Sequence, residues 1–157
     1  MFTKMVHLHT GEIKSYLVTI LTTYKIMNIH EIKAEREKRI SAIFKKHNVF
    51  FAFSTEQFEK YKIKLEEGDK YVSMGMGGFL PKSKADSYLK DMTDDDQWFK
   101  DQIKANDQRR AHIAYELANH ECYYTGDIDS AVSALGDDYT FDEVHEVYIQ
   151  ERQKVDY

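Results

Sequence analysis

His112, Glu116 and His120 stand at i, i+4 and i+8, and on a helix that spacing lines up two imidazoles and a carboxylate along one side. Side chains of these types can ligate a divalent metal or move a proton. The order differs from the His-Glu-x-x-His of a zinc protease, and no second cluster of His, Asp and Glu completes a ligand set. Asp127 and His145 can join only if the fold brings them close. Ile113, Leu117, His120 and Tyr124 also follow the apolar i, i+4, i+7, i+11 stripe of the same helix, so the favoured reading is structural. It puts His120, buried or half-buried, in a hydrogen-bonded network with Glu116 and Asn119. No catalytic residue and no cofactor is assigned, and the three residues stand as the metal candidates.

Gly75-Met76-Gly77-Gly78-Phe79-Leu80-Pro81 is placed between a predicted strand and a predicted helix, where backbone amides can cradle a phosphate. It lacks the Lys-Ser/Thr ending of a P-loop and the glycine spacing of a dinucleotide fingerprint. A glycine-rich bend is the stronger reading, because glycine mainly permits positive φ and close approach. Met76 and Phe79, with Met74, give it an apolar tip able to reach a partner. Cys122, beside Glu121, lacks the electropositive setting of a nucleophile. As a lone cysteine it can form neither an intramolecular disulfide nor a four-cysteine zinc site, which points to a reducing cytoplasm.

The net charge of −5 hides an asymmetry. Residues 1–70 carry 13 Lys+Arg against 9 Asp+Glu, and residues 71–157 carry 9 against 18. Residues 111–151 hold ten carboxylates and no lysine or arginine. Such a field repels nucleic-acid backbones and attracts basic surfaces. The basic run over 33–46 interleaves Glu35 and Glu37 with Lys33, Arg36, Arg39, Lys45 and Lys46, the pattern of a solvated helix face more than of an RNA-binding one.

The elements that must position these residues make a mostly helical α+β fold, with five to seven helices and a small two-stranded sheet. At 157 residues a compact chain buries roughly 70% of its unfolded surface, and no linker divides it. Residues 1–26 read as a helix or an N-terminal extension, and 27–157 as one globular domain. Asn28 and Glu31 form a capping-box start for a helix to about Lys46, with Asn48 as a left-handed stop. Strands are expected over 49–53 and 70–74. Between them a helix capped by Ser54 or Thr55 carries Phe58, Tyr61 and Leu65 inward and stops at Gly68. Ser83 and Asp86 open a helix through Tyr88, Leu89 and Met92. The triplet Asp94-Asp95-Asp96 then suits the positive end of a new helix running over 95–123. A short helix follows to Leu135, stopped by Gly136, and Thr140 with Glu143 boxes the start of the last. No stretch approaches the roughly 20 apolar residues of a membrane span.

Two runs, Phe51-Ala52-Phe53-Ser54-Thr55-Glu56-Gln57-Phe58 and Glu116-Leu117-Ala118-Asn119-His120-Glu121-Cys122-Tyr123-Tyr124-Thr125-Gly126-Asp127-Ile128, stand on either side of the glycine loop. Together the three resemble a family of small uncharacterised proteins met in bacteriophages and other mobile elements, over residues 49–138. The resemblance brings no activity. It implies a context in which small accessory proteins bind host machinery and, in some cases, inhibit CRISPR nucleases. With the acidic C-terminal third it leads to the expectation of a non-enzymatic inhibitor of a host defence nuclease, an RNA-guided one in particular, in the host cytoplasm. The partner would dock on Asp127, Asp129, Asp137, Asp138, Asp142, Glu143 and Glu146, or in second place on Met76 and Phe79. A metal-dependent enzyme built on His112, Glu116 and His120, and a small RNA-binding protein, are the alternatives.

Overall fold

The computed structural model describes residues 26–154, so the expected helix or extension over 1–26 lies, apart from an exposed Ile26, outside the described residues. Helix α1 (Ile29–Lys46) begins as its sequence dictates. The Asn28 side chain accepts the Glu31 N–H at 3.0 Å and the Glu31 carboxylate accepts the Asn28 N–H at 3.1 Å, satisfying two donors that a helix start leaves unpaired. Asn48, at φ 55°, ends it in the left-handed region.

Strand β1 (Phe50–Phe51) and helix α2 (Thr55–Tyr61), capped by Ser54, follow. The expected continuation of α2 to Gly68 does not form. The Tyr71 hydroxyl accepts the Ile63 N–H and donates to the Ile63 carbonyl, both at 2.7 Å, so a tertiary partner takes the groups the helix needs. Tyr61 is left exposed.

The sheet has three antiparallel strands, not two, in the order β1-β3-β2. Strand β2 (Tyr71–Gly75) turns into β3 (Gly78–Pro81), pairing Val72 with Leu80 and Ser73 with Phe79, while Phe50 pairs with Phe79 on the other side. The glycine loop is therefore a β-hairpin whose second half is a strand. Gly75, Met76 and Gly77 all have positive φ, the signature of a tight reversal. A side chain on Gly77 would meet the Phe53 ring, whose nearest atom lies 2.6 Å from where its Cβ would stand. Phe50, Phe58, Tyr71 and Phe79 hold β1, α2 and the hairpin together through ring contacts of 5.0–5.7 Å.

After a 3-10 turn (Lys82–Lys84) come α3 (Ala85–Ala105), α4 (Arg109–Asn119), α5 (Cys122–Thr125), α6 (Asp129–Leu135) and α7 (Phe141–Arg152), for seven α-helices among the described residues. The single helix expected over 95–123 is broken twice, where Asp107 and Glu121 adopt left-handed φ of 52° and 56°. The second break turns Tyr124 out to solvent instead of continuing the apolar stripe. No helix among the described residues is long and apolar enough to cross a membrane.

The acidic triplet is not a helix start. Asp95 sits in the middle of α3, 1% exposed, with Arg39 Nε at 2.7 Å and Arg36 Nε at 3.3 Å. The two guanidiniums lie 4.3 Å over the Phe99 and Trp98 rings. Around this tie Ile29, Ile32, Phe99 and Ile103 form one apolar cluster. A larger one, centred on Ile113, Leu117, Val144 and Tyr148, fills the space between α4, α6 and α7.

Removing the charge of a buried ion-paired group leaves its partners uncompensated. Asp95→Asn is therefore expected to cost about 2–3 kcal/mol in urea unfolding, given that both arginines are partly solvated, whereas Asp96→Asn should cost less than about 1 kcal/mol. Equal losses for the two would contradict the assignment of Asp95 as the tie between α1 and α3.

Candidate functional site

The Glu116 carboxylate on α4 faces three cationic or potentially cationic groups. Lys33 Nζ, from α1, lies 2.5 Å from Oε1, His112 Nε2 lies 3.6 Å from the same oxygen, and His120 Nε2 lies 3.7 Å from Oε2. The sequence-predicted trio thus comes together. His112 is buried and its Nδ1 meets the Tyr139 hydroxyl at 2.7 Å. His120 caps the C-terminus of α4 and is half-buried. The His112 imidazole lowers the Glu116 pKa to about 2, with Lys33 assisting and burial opposing.

A carboxylate so firmly ionised, with an ammonium already on it, acts as an anchor and not as a proton relay. Among the described residues no group of three or more His, Cys, Asp and Glu side chains is placed to hold a metal ion. Asp127 and His145 do not join the trio: Asp127 accepts the Asp129 N–H at 2.9 Å, and His145 stacks on Phe141 at 5.8 Å. Asn119 is exposed. Cys122 is fully buried, and that burial pushes its thiol up from the ordinary value, the reverse of nucleophile activation.

Beside Glu116 a cleft of about 730 Å³ opens between α1, α3, α4 and the segment joining α6 to α7. Phe99, Ile103 and Leu135 form its floor. Lys100 spans it, 2.7 Å from Asp138 and 3.3 Å from Asp96. Arg109 closes one end, lying 4.1 Å over the Tyr139 ring and bonding Glu143 and the Asp138 carbonyl. The sequence reading missed this cleft because its walls come from four separate stretches and none carries a motif.

The expected acidic surface divides in two. Asp138 is held by Lys100 and Glu143 by Arg109, whose guanidinium lowers the Glu143 pKa. The last helix therefore has half a capping box: Thr140 accepts the Glu143 N–H, but the Glu143 side chain is taken by Arg109. Asp127, Asp129, Asp137, Asp142 and Glu146 are exposed and make no ion pair with any described cation. On α7, Phe141, His145 and Ile149 form an exposed stripe directly beside Asp142 and Glu146, since steps of four residues drift slowly round a helix.

The hairpin alternative divides as well. Met76 at its tip is 93% exposed. Phe79 is not at the tip but in β3, stacked on Phe50. Four basic residues of α1 are turned to internal use, Lys33 to Glu116, Arg36 and Arg39 to Asp95, and Lys46 to Asp91 at 2.6 Å, while Lys45 stays exposed.

The fold and these surfaces define a small, mostly helical α+β protein with one charged cleft and one acidic, partly apolar helix face. Residues 32–154 match DUF7659, a family of unknown function, and the chain belongs to that family. No curated protein and no solved structure matches it.

Because the Glu116 pKa falls from an ordinary 4.5 to about 2 on folding, its contribution to stability is complete above pH 4.5 and is lost as pH falls from there toward 2. A difference of this size corresponds to about 3 kcal/mol. Glu116→Gln should lower stability at pH 7 and flatten the acid limb of a stability–pH curve measured by denaturant titration. An unchanged acid limb would show that Glu116 is not the group responsible.

Proposed function

We propose that this chain is a non-enzymatic binding protein that docks the outer arc of α7, and the turn before it, on a basic surface of a nucleic-acid-handling host enzyme. An RNA-guided defence nuclease is the specific partner, and inhibition is the consequence. The observation that carries this reading is the pairing of exposed, uncompensated carboxylates at Asp137, Asp142 and Glu146 with an exposed Phe141–His145–Ile149 stripe. Interfaces combine an apolar or aromatic centre with a charged rim that steers approach. The resemblance of the 51–58 and 116–128 runs to phage and mobile-element proteins supports the same context. The ionised, lysine-bound Glu116 weighs against an acid–base enzyme.

The reading is tested by co-purification with candidate effector nucleases at low and raised salt, followed by kinetics on any partner found. Changing Asp137, Asp142 and Glu146 together to lysine should slow association about tenfold or more at low salt. The melting temperature should fall by only a few degrees, because all three are exposed and none is in an ion pair, Glu146 accepting only the exposed Gln150 amide and Asp142 standing in the first turn of α7. Asp138 and Glu143 are left intact, since their ion pairs hold α3, α4 and α7 together. Unchanged association by the folded triple variant would overturn the acidic-face reading and direct attention to Met76.

A further inference from the structure

We infer that the cleft between α1, α3, α4 and the α6–α7 segment binds a small zwitterion with an apolar body, of the amino-acid or short-peptide type. This goes beyond the proposed docking function and does not depend on it. A volume of about 730 Å³ lies within the usual range for small-molecule sites, and such sites favour the seam between two packed units. Here the seam separates the apolar cluster of α1 and α3 from that of α4, α6 and α7. The floor of Phe99, Ile103 and Leu135 asks for an apolar body.

The charges on the walls decide the rest. Lys33, Arg36, Lys100 and Arg109 are each already paired with a carboxylate of the protein. A polyanion such as a nucleotide would have to displace those carboxylates. Three charged groups on the lining have no ion-pair partner among the described residues: Glu37 on α1, Lys104 in the last turn of α3, and Asp107 at the break that follows. A simple anion entering the cleft meets two free carboxylates, and a simple cation meets Lys104. A molecule bearing both signs is matched by all three, with its ammonium toward Glu37 or Asp107 and its carboxylate toward Lys104. Opposed charges at partly solvated positions give a modest gain each, so the apolar floor supplies most of the affinity.

Glycyl-phenylalanine titrated into the isotope-labelled full chain, followed by amide NMR, tests the inference. Its N-acetylated form, its C-terminal amide and AMP serve as parallel probes. Saturable shifts are expected for amides around Ile103, Asp107, Leu135 and Tyr139, and blocking either end should weaken binding roughly two- to fivefold. The double variant Glu37→Gln with Asp107→Asn should weaken the free dipeptide but not the N-acetylated one, and Lys104→Gln should weaken it but not the amide. Ala134→Trp, at an exposed α6 position lining the cleft, should abolish the shifts. If that variant misfolds, the two charge variants still decide. No saturable shift at about 10 mM dipeptide, tighter binding of AMP than of the dipeptide, or shifts that map away from the cleft would overturn it.

Discussion

A carboxylate taken out of water must be compensated where it lies, and Asp95 is compensated by two guanidiniums from one neighbouring helix. That requirement joins α1 to α3 in a fixed register, because Arg36 and Arg39 are one helical turn apart and both must reach the same side chain. With α1 held there, Lys33, three residues before Arg36, falls over α4 and meets Glu116. The anchor on α4 in turn places His112 against Tyr139, and with it the start of the acidic C-terminal elements. A chain of three charged contacts thus runs from the first described helix to the last third of the molecule, across the gap between its two apolar clusters.

The uneven distribution of charge along the chain takes on a different meaning once folded. Cations of the first half and carboxylates of the second are complementary faces of the same structure: Lys33 with Glu116, Arg36 and Arg39 with Asp95, Lys46 with Asp91. Arg109 and Arg110, just before the lysine- and arginine-free stretch, neutralise Glu143 and Glu151 within it. What this pairing leaves over is spread across the surface, with Lys45, Glu56, Glu66, Glu67 and Asp86 among the exposed charges that have no ion-pair partner among the described residues. One group of these is on the turn before α7 and its outer arc, where carboxylates adjoin Phe141 and Ile149. A smaller one is at the rim of the cleft.

Much of the fold was legible where a local rule decides structure. The Asn28–Glu31 box, the Ser54 and Thr140 caps, the left-handed Asn48 and the stop at Gly136 all act within a few residues of themselves. The reading failed where a distant partner wins. Asp94-Asp95-Asp96 has the composition of a helix start, but two arginines almost sixty positions away in the sequence draw Asp95 inside. Tyr71 ends α2 by bonding Ile63, which no periodicity in 55–68 reveals. The strand hidden in the glycine loop contributes only Phe79 and Leu80 as a pattern, too short to register as an element beside three glycines.

The same division holds for the site. Helical spacing was enough to place His112, Glu116 and His120 together, yet it could not show that Lys33 completes the group and fixes its charge. Listing carboxylates found the acidic surface but not which of them the fold neutralises. We propose that the remaining ones, with the apolar stripe beside them, form the contact surface. Labelling of carboxylates, together with hydroxyl-radical oxidation to report on Met76, in the free and partner-bound protein and read by mass spectrometry, tests this most directly. Docking through α7 predicts protection of Asp137, Asp142 and Glu146 on binding, with the environment of Met76 unchanged. Protection centred on the Met76 hairpin, with α7 as reactive as in the free chain, would contradict it.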